Sequence, residues 1–265
     1  MTSMLVHFSK YHGTGNDFVM IDGRELDFPY QDQKLIKNIC HRRFGVGADG
    51  LIVLDHSREE DFAMKYFNAD GNEGSMCGNG GRCITAFAHR LGLAGLETRF
   101  EGIDGIHQAS ILPNGNIRLK LTDVEGIREL EDGYLLNTGS PHFVRFVEDL
   151  ENKSMNLEGK EIRHEPRFGK EGVNVNFVEE LDTPYTLFVR TFERGVEAET
   201  WSCGTGVTAA AISSYMRKKT DKITYRIITR GGELEVNYEV SADNSFTEVF
   251  LTGPASHVYD GTIHT

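Results

Sequence analysis

A chain of 265 residues, 39% hydrophobic and 10% aromatic, carries enough apolar side chains for one large core or two smaller ones, which excludes a mini-protein held together by staples. Its 28 Lys and Arg stand against 40 Asp and Glu, a formal net charge of −12. That is the wrong sign for binding a polyphosphate backbone by counterion release, so no nucleic-acid partner is expected. The 29 glycines exceed the roughly 19 that average usage of about 7% gives, and point to many tight turns and close backbone approaches.

The N-terminal MTSMLVHFSKYHGTG lacks a basic flank followed by an apolar core, and no run approaches the ~18 apolar residues of a membrane span. No membrane partner is expected, and the chain reads as cytoplasmic. In a reducing compartment its cysteines, Cys40, Cys77, Cys83 and Cys203, belong to chemistry, metal binding or packing rather than to disulfides.

In chain order, a glycine turn at Gly13-Thr14-Gly15-Asn16-Asp17 comes first, then a strand-length aromatic run at 61–67 (DFAMKYF), where Asn68, Asp70 and Gly71 read as an Asx or glycine turn. A polar loop leads to Cys77-Gly78-Asn79-Gly80, after which Ile84, Phe87, Ala88 and Leu91 recur at helical spacing. IHQASIL and IRLKL flank the turn Pro113-Asn114-Gly115-Asn116 as a hairpin. The same series then begins again. Asn137-Thr138-Gly139-Ser140-Pro141-His142 echoes the first turn, with the threonines 124 positions apart. A run at 185–192 (YTLFVRTF) leads to Cys203-Gly204-Thr205-Gly206, 126 positions after its counterpart. The stretch 207–212 (VTAAAI) is apolar on nearly every side and should be buried. A last strand-turn-strand pattern turns at Ala242-Asp243-Asn244-Ser245.

Three blocks in one order at offsets near 125 imply two halves built on one plan. The expected fold is α+β: two pseudo-repeat α/β halves, each a curved, mixed, largely antiparallel sheet wrapped around a central helix, with the active site in the cleft between them. The expected halves are 1–124 plus 255–265, and 125–254.

Cysteine at the start of a glycine-rich helix is chemically suggestive. The first turn has unpaired N–H groups and the positive end of the helix dipole, which favour an anion and a thiolate. Two such cysteines suit a reaction in which a base removes a Cα proton from one face and an acid returns one to the other. Racemisation or epimerisation of an amino acid fits. Cys40 and Cys83 read as packing residues, and no second CxxC or His-rich tract supplies four zinc ligands.

The segments Phe67-Asn68-Ala69-Asp70-Gly71, Met76-Cys77-Gly78-Asn79-Gly80-Gly81-Arg82-Cys83, Glu193-Arg194-Gly195 and Glu199-Thr200 with Cys203-Gly204-Thr205-Gly206 resemble the signature blocks of the diaminopimelate epimerase family. Asn16, Pro141-His142 and Val173-Asn174-Val175 also match functional positions of that family, so the resemblance spans nearly the whole chain. Related proline racemases and hydroxyproline epimerases are similar in fold and paired cysteines but lack the NADG and ERG segments.

The resemblance implies a cofactor-independent epimerase interconverting LL- and meso-2,6-diaminopimelate in lysine and peptidoglycan precursor synthesis, with no metal and as a homodimer. Cys77 and Cys203 would be the acid and base. Gly78, Asn79, Gly204 and Thr205 would hold the reacting carboxylate. Asn16, Asn68, Asn174, Glu193 and Arg194 would hold the remaining groups, Arg194 as a clamp on the unreactive carboxylate. His142 and Glu193 would tune the thiols. Three features depart from the common pattern: Gly50 stands where many members have glutamine, Ser140 where many have asparagine, and the loop from Glu193 to Cys203 is one residue longer. The alternatives are a racemase of a smaller amino acid such as proline, and a redox sensor using Cys77 and Cys203.

Overall fold

The computed structural model describes residues 4–74, 76–242 and 244–264; Asp243 of the expected last turn lies outside them. Its strands and helices, in order, are β1 (Leu5–Gly13), β2 (Asn16–Asp22), α1 (Gln33–Cys40), β3 (Gly50–Asp55), β4 (Phe62–Asn68), α2 (Gly78–Arg90), β5 (Glu97–Gly102), β6 (Gly105–Ile111) and β7 (Ile117–Lys120). There follow β8 (Arg128–Leu130), β9 (Gly133–Asn137), β10 (Pro141–Phe146), α3 (Met155–Arg163), β11 (Asn174–Glu180), β12 (Thr186–Glu193), β13 (Ala198–Thr200) and α4 (Gly204–Lys218). The chain ends with β14 (Thr224–Thr229), β15 (Gly232–Val240), β16 (Phe246–Gly253) and β17 (Ser256–His264).

Two compact units result, one running to Leu119 and resuming at Pro254, the other Lys120–Gly253. The first exchange falls five residues before the expected boundary, because Leu121 N donates to Val249 O and Val124 pairs with Phe246. These bonds tie 121–124 to the last strand of the second unit, a pairing that no local pattern in the sequence announces.

In the first unit the strands lie in the order β17-β1-β2-β3-β4-β5-β6-β7. The pairs β2/β3 and β4/β5 are parallel and the others antiparallel. Within the second unit, β9, β10, β11, β12, β14, β15 and β16 repeat this pattern, with β10/β11 and β12/β14 as the parallel pairs. Both units are thus mixed, largely antiparallel sheets of the same topology, as a duplication requires.

Each sheet carries a helix on both faces, which the sequence did not disclose. α2 packs on β1, β2, β3, β4 and β6, and α4 on the strands from β9 to β12 and β14 to β16. On the opposite faces, Ile36 and Ile39 of α1 cluster with Leu51 and Val53, while Met155 and Ile162 of α3 cluster with Val175, Phe177 and Phe192. Double coverage explains why β3 (GLIVLD) and β11 are nearly continuous buried runs rather than alternating ones. α4 is buried from Gly204 to Ser214 apart from Thr205, in keeping with its uniformly small and apolar sequence. Leu91, expected on the buried face of α2, instead caps its C-terminus and is 38% exposed. Among the described residues no helix is long and apolar enough to cross a membrane.

Candidate active site

Each unit presents its cysteine in the same way. Cys77 and Cys203 are the N-cap residues of α2 and α4, with extended backbones (φ −110°, ψ 124° and φ −120°, ψ 112°) and thiols that make no capping bond. Extended geometry at this position swings the side chain off the helix axis beside the first-turn N–H groups, which have no intrahelical acceptors.

In the first unit, the Cys77 thiol donates to Asn16 Oδ1 at 3.6 Å, and Asn79 Nδ2 donates to the same oxygen at 3.2 Å. Asn16 is delivered there by the β1–β2 turn, where Thr14 and Gly15 both take positive φ (48° and 87°). Its Nδ2 donates to Asp49 Oδ2 at 2.8 Å, which fixes the amide with its carbonyl toward the thiol. Asp49 is held by Arg42, and Arg42 also pairs with Asp17, which receives Lys10 at 2.7 Å. Burial alone would raise the Asp17 carboxyl, but the bonds from Arg42 and Lys10 outweigh it and hold it well below the usual carboxylate range.

Behind this half-site lies Arg82, fully buried on α2. Its guanidinium donates to Gly78 O (3.2 Å), Asn79 Oδ1 (2.8 Å), Thr14 Oγ1 (3.4 Å) and Pro254 O (3.3 Å). One side chain thereby joins the helix start, the β1–β2 turn and the returning chain. Asn79's side chain is engaged by both Asn16 and Arg82.

Asn68 is exposed at the end of β4, and its Oδ1 accepts from the Tyr66 hydroxyl at 3.0 Å. Asp70 bonds Asn72 N at 2.9 Å, an ordinary Asx turn. Tyr66 also accounts for Gly50. A Cβ at Gly50 would lie 2.6 Å from Tyr66 Cε2 and 2.7 Å from Phe67 O, and one at Gly74 would lie 2.6 Å from the same ring. The tyrosine ring thus fills the space that a glutamine side chain would need. Gly50→Gln is therefore expected to cost about 1–3 kcal/mol from overpacking. In urea melts, Gly50→Gln with Tyr66→Ala should recover part of that loss, and an unchanged midpoint in the single variant would show that the ring does not occupy the space.

The second unit surrounds Cys203 with a buried polar cluster. Cys203 Sγ lies 3.5 Å from Thr205 Oγ1, which lies 2.9 Å from His142 Nε2. Ser140 Oγ is also 2.9 Å from His142 Nε2 and accepts from Asn174 Nδ2 at 3.1 Å, so the serine hydroxyl is joined to both residues. Asn174 Oδ1 accepts from Arg194 N at 2.8 Å. Glu193 accepts from the Thr200 hydroxyl at 2.6 Å across the β12–β13 hairpin. The longer loop closes as that hairpin, with Gly195 and Glu197 at positive φ (91° and 58°), and keeps Glu193 and Arg194 beside Asn174. Arg194 also lines an open groove with Pro141 and Val173. The first turn, Gly204 to Gly206, is close-packed: a Cβ on Gly206 would fall 2.3 Å from Asn176 Oδ1.

His142 has no solvent exposure, and burial pushes its pKa down to about 3, so the ring is neutral at working pH. It reaches the thiol through Thr205. Since the folded-state value lies below the unfolded one of about 6.5, the unfolded chain binds the extra proton between these limits, and stability falls as pH drops from about 6.5 toward 3. His142→Gln should therefore flatten the stability–pH slope by up to about 1.4 kcal/mol per pH unit within that window, as read by urea denaturation between pH 4.5 and 6. Equal slopes for the two proteins would show that the ring charges freely in the fold.

Cys40 and Cys83 lie in the apolar interior, 3% and 0% exposed, and burial pushes both thiols up to about 12. Both are inert near neutral pH. Among the described residues no group of three or more His, Cys, Asp or Glu is placed to hold a metal ion.

Asp49, Arg82, Tyr66 and Asn176 are parts of the two clusters that sequence reasoning did not single out. Asn176 had a readable signal: with Asn174 it forms an N-x-N pair on one face of a strand whose other buried positions, Val175, Phe177 and Val178, are apolar, which demands polar partners.

The family model for diaminopimelate epimerase matches residues 8–125 and 134–258, nearly all of both units. The chain belongs to the diaminopimelate epimerase family. Diaminopimelate epimerase of Flavobacterium psychrophilum is 48% identical over 96% of this chain and 98% of its own. That of Chlorobaculum tepidum is 41% identical over 95% and 98%. Among solved structures, a PhzF-family phenazine biosynthesis protein from Bacillus anthracis superposes with a TM-score of 0.78 at 15% identity, covering 98% of this chain and 99% of that one. A probable proline racemase from Agrobacterium radiobacter gives 0.72 at 17% identity, over 97% and 92%. These two likenesses are of fold alone. They place the doubled sheet-and-helix unit of the diaminopimelate epimerase family within a wider set of proteins built on the same plan.

Proposed function

We propose that this chain is a cofactor-independent two-base epimerase interconverting LL- and meso-2,6-diaminopimelate, acting in the cytoplasm as a homodimer. The observation that carries the reading is the repeated placement of Cys77 and Cys203 at extended N-caps of buried helices, each beside polar groups able to bond a thiol. Such twin placement has no structural purpose that alanine or serine would not serve.

In this reading one cysteine, as thiolate, removes the Cα proton. Charge builds on the adjacent carboxylate, where first-turn N–H groups of Gly78, Asn79, Gly204 and Thr205 stabilise it. The other cysteine, as thiol, then returns a proton to the opposite face of the same carbon. The thiol and thiolate exchange roles, so each turnover leaves the enzyme ready for the reverse reaction. Asn16, Asn68 and Asn174 hold the amino and carboxylate groups, while Arg194 clamps the distal carboxylate. Glu193 and His142 set the electrostatics of the thiols. The full length of the match to diaminopimelate epimerases favours diaminopimelate over a smaller amino acid.

The test is incubation with LL-diaminopimelate in deuterated water under reducing conditions without pyridoxal phosphate, with proline and glutamate in parallel. Deuterium should enter Cα of diaminopimelate alone. Failure of reduced, folded protein to exchange it would overturn the reading.

A further inference from the structure

Asn176 belongs to none of the groups assigned above, yet it is fully buried on β11 next to His142. Its amide orientation is determined on both sides. Oδ1 accepts from Thr191 Oγ1 at 2.9 Å, and Nδ2 donates to Phe143 O at 3.1 Å. The second hydrogen of Nδ2 is directed at His142 Nδ1, 3.0 Å away. A nitrogen that receives a hydrogen bond carries no proton in the neutral ring, so the proton of His142 sits on Nε2.

From there the direction of each bond follows. Nε2–H lies 2.9 Å from both Thr205 Oγ1 and Ser140 Oγ, and Ser140 Oγ also receives Asn174 Nδ2. Asn174 cannot turn around, because its Oδ1 takes the Arg194 N–H. Thr205 Oγ1 is therefore an acceptor toward the ring, and its own hydrogen has two acceptors in reach, Ser140 Oγ at 3.4 Å and Cys203 Sγ at 3.5 Å, of which an ionised sulfur is the stronger.

We propose that Asn176 is a positioning residue that locks His142 as the Nε2–H tautomer, so that Thr205 donates its hydroxyl hydrogen to Cys203 and stabilises that sulfur as the thiolate. The proposal rests on the two-base reading for its functional meaning, but the bonding pattern can be tested without substrate. Neutrality of the buried ring agrees with it, since an imidazolium would need acceptors at both nitrogens and faces an amide donor at one. The charged group acting on the ring is the neighbouring Arg194, which opposes a second positive charge there.

The experiment compares the unaltered enzyme, Asn176→Asp and Thr205→Val, the last two also in a Cys77→Ser background. Two readouts are taken: 15N NMR of the His142 ring, and the rate of Cys203 alkylation by iodoacetamide at pH 7. The unaltered enzyme should show a bare Nδ1 and a protonated Nε2. Asn176→Asp presents an acceptor to Nδ1, so the proton should move there, the Thr205 hydrogen should turn to Nε2, and alkylation should slow about tenfold through loss of a bond to a charged sulfur. Thr205→Val should slow alkylation to a similar extent while leaving the ring proton on Nε2. It also keeps the thiol arm testable if Asn176→Asp folds poorly.

A protonated Nδ1 in the unaltered enzyme would overturn the proposal, as would an unchanged alkylation rate in Thr205→Val. Absence of deuterium exchange into diaminopimelate would instead overturn the epimerase reading and leave both of these results standing.

Discussion

Replacing Cys203 with alanine, or Cys77 with alanine, should lower epimerisation of diaminopimelate by about a thousandfold or more, because each removes one of the two proton-transfer groups on which turnover depends. The two losses should not multiply. Once one face of the substrate has no acid or base, removing the other group takes away little more inversion, so the double variant should resemble either single one. Polarimetry or chiral chromatography of the products measures inversion, and thermal melts report folding. Near-normal inversion by either folded variant would remove that cysteine from the mechanism. Serine is the informative second substitution. It preserves volume and hydrogen bonding in the Asn16 and Thr205 environments, but a hydroxyl is a far weaker acid than a thiol, so activity should stay low despite intact packing.

The largest expected effect on stability comes from Arg82. Arg82→Leu removes a guanidinium bonded to Gly78 O, Asn79 Oδ1, Thr14 Oγ1 and Pro254 O, and leaves buried acceptors without their donor. With about 1–3 kcal/mol for each acceptor left dry, and some relief from no longer burying a charge, the net loss should be roughly 3 kcal/mol. In a chain of this size that is a fall in melting temperature of about 6–12 °C. A drop of less than about 2 °C would show that the fold does not depend on this link. Arg82→Lys should recover only part of the loss, since one ammonium cannot span acceptors arrayed around a planar fork. Because Asn79 is held by both Arg82 and Asn16, substitution at Arg82 should also loosen the surroundings of Cys77, so catalysis and stability should decline together.

How far the sequence was legible depended on whether the signal was local. Duplication could be read because the turn before β2 and the turn before β10, and the two CGxG helix starts, repeat as contiguous strings at nearly the same offset. Burial of α4 could be read because Val207 to Ile212 offers no polar face to water. The second helix on each sheet could not, since α1 and α3 are short amphipathic segments whose docking face is decided only when the sheets exist. Nor could the early unit boundary, which depends on Leu121 and Val124 meeting a strand more than a hundred positions later. Within the two clusters the cysteines announced themselves. Asp49, Arg82 and Asn176 did not, because each fixes a group from a different strand or turn, and Tyr66 did not, because its ring fills space beside Gly50 on the neighbouring strand. Gly50 is the instructive instance: as a string it looks like a lost side chain, whereas the folded chain shows Tyr66 standing in the vacated volume.

The pairing of β17 with β1, running from Leu5 opposite His264 to His12 opposite Ser256, bears on how the protein is made. The second unit is a continuous stretch and emerges from the ribosome whole. Until β17 appears, β1 remains the unpaired margin of the first unit's sheet, open to joining the strands of other chains. Ser9 and Arg90 wait meanwhile for Asp260, the residue that bonds both. During synthesis the later half is therefore able to mature first, and the earlier half is completed by the last strand to arrive.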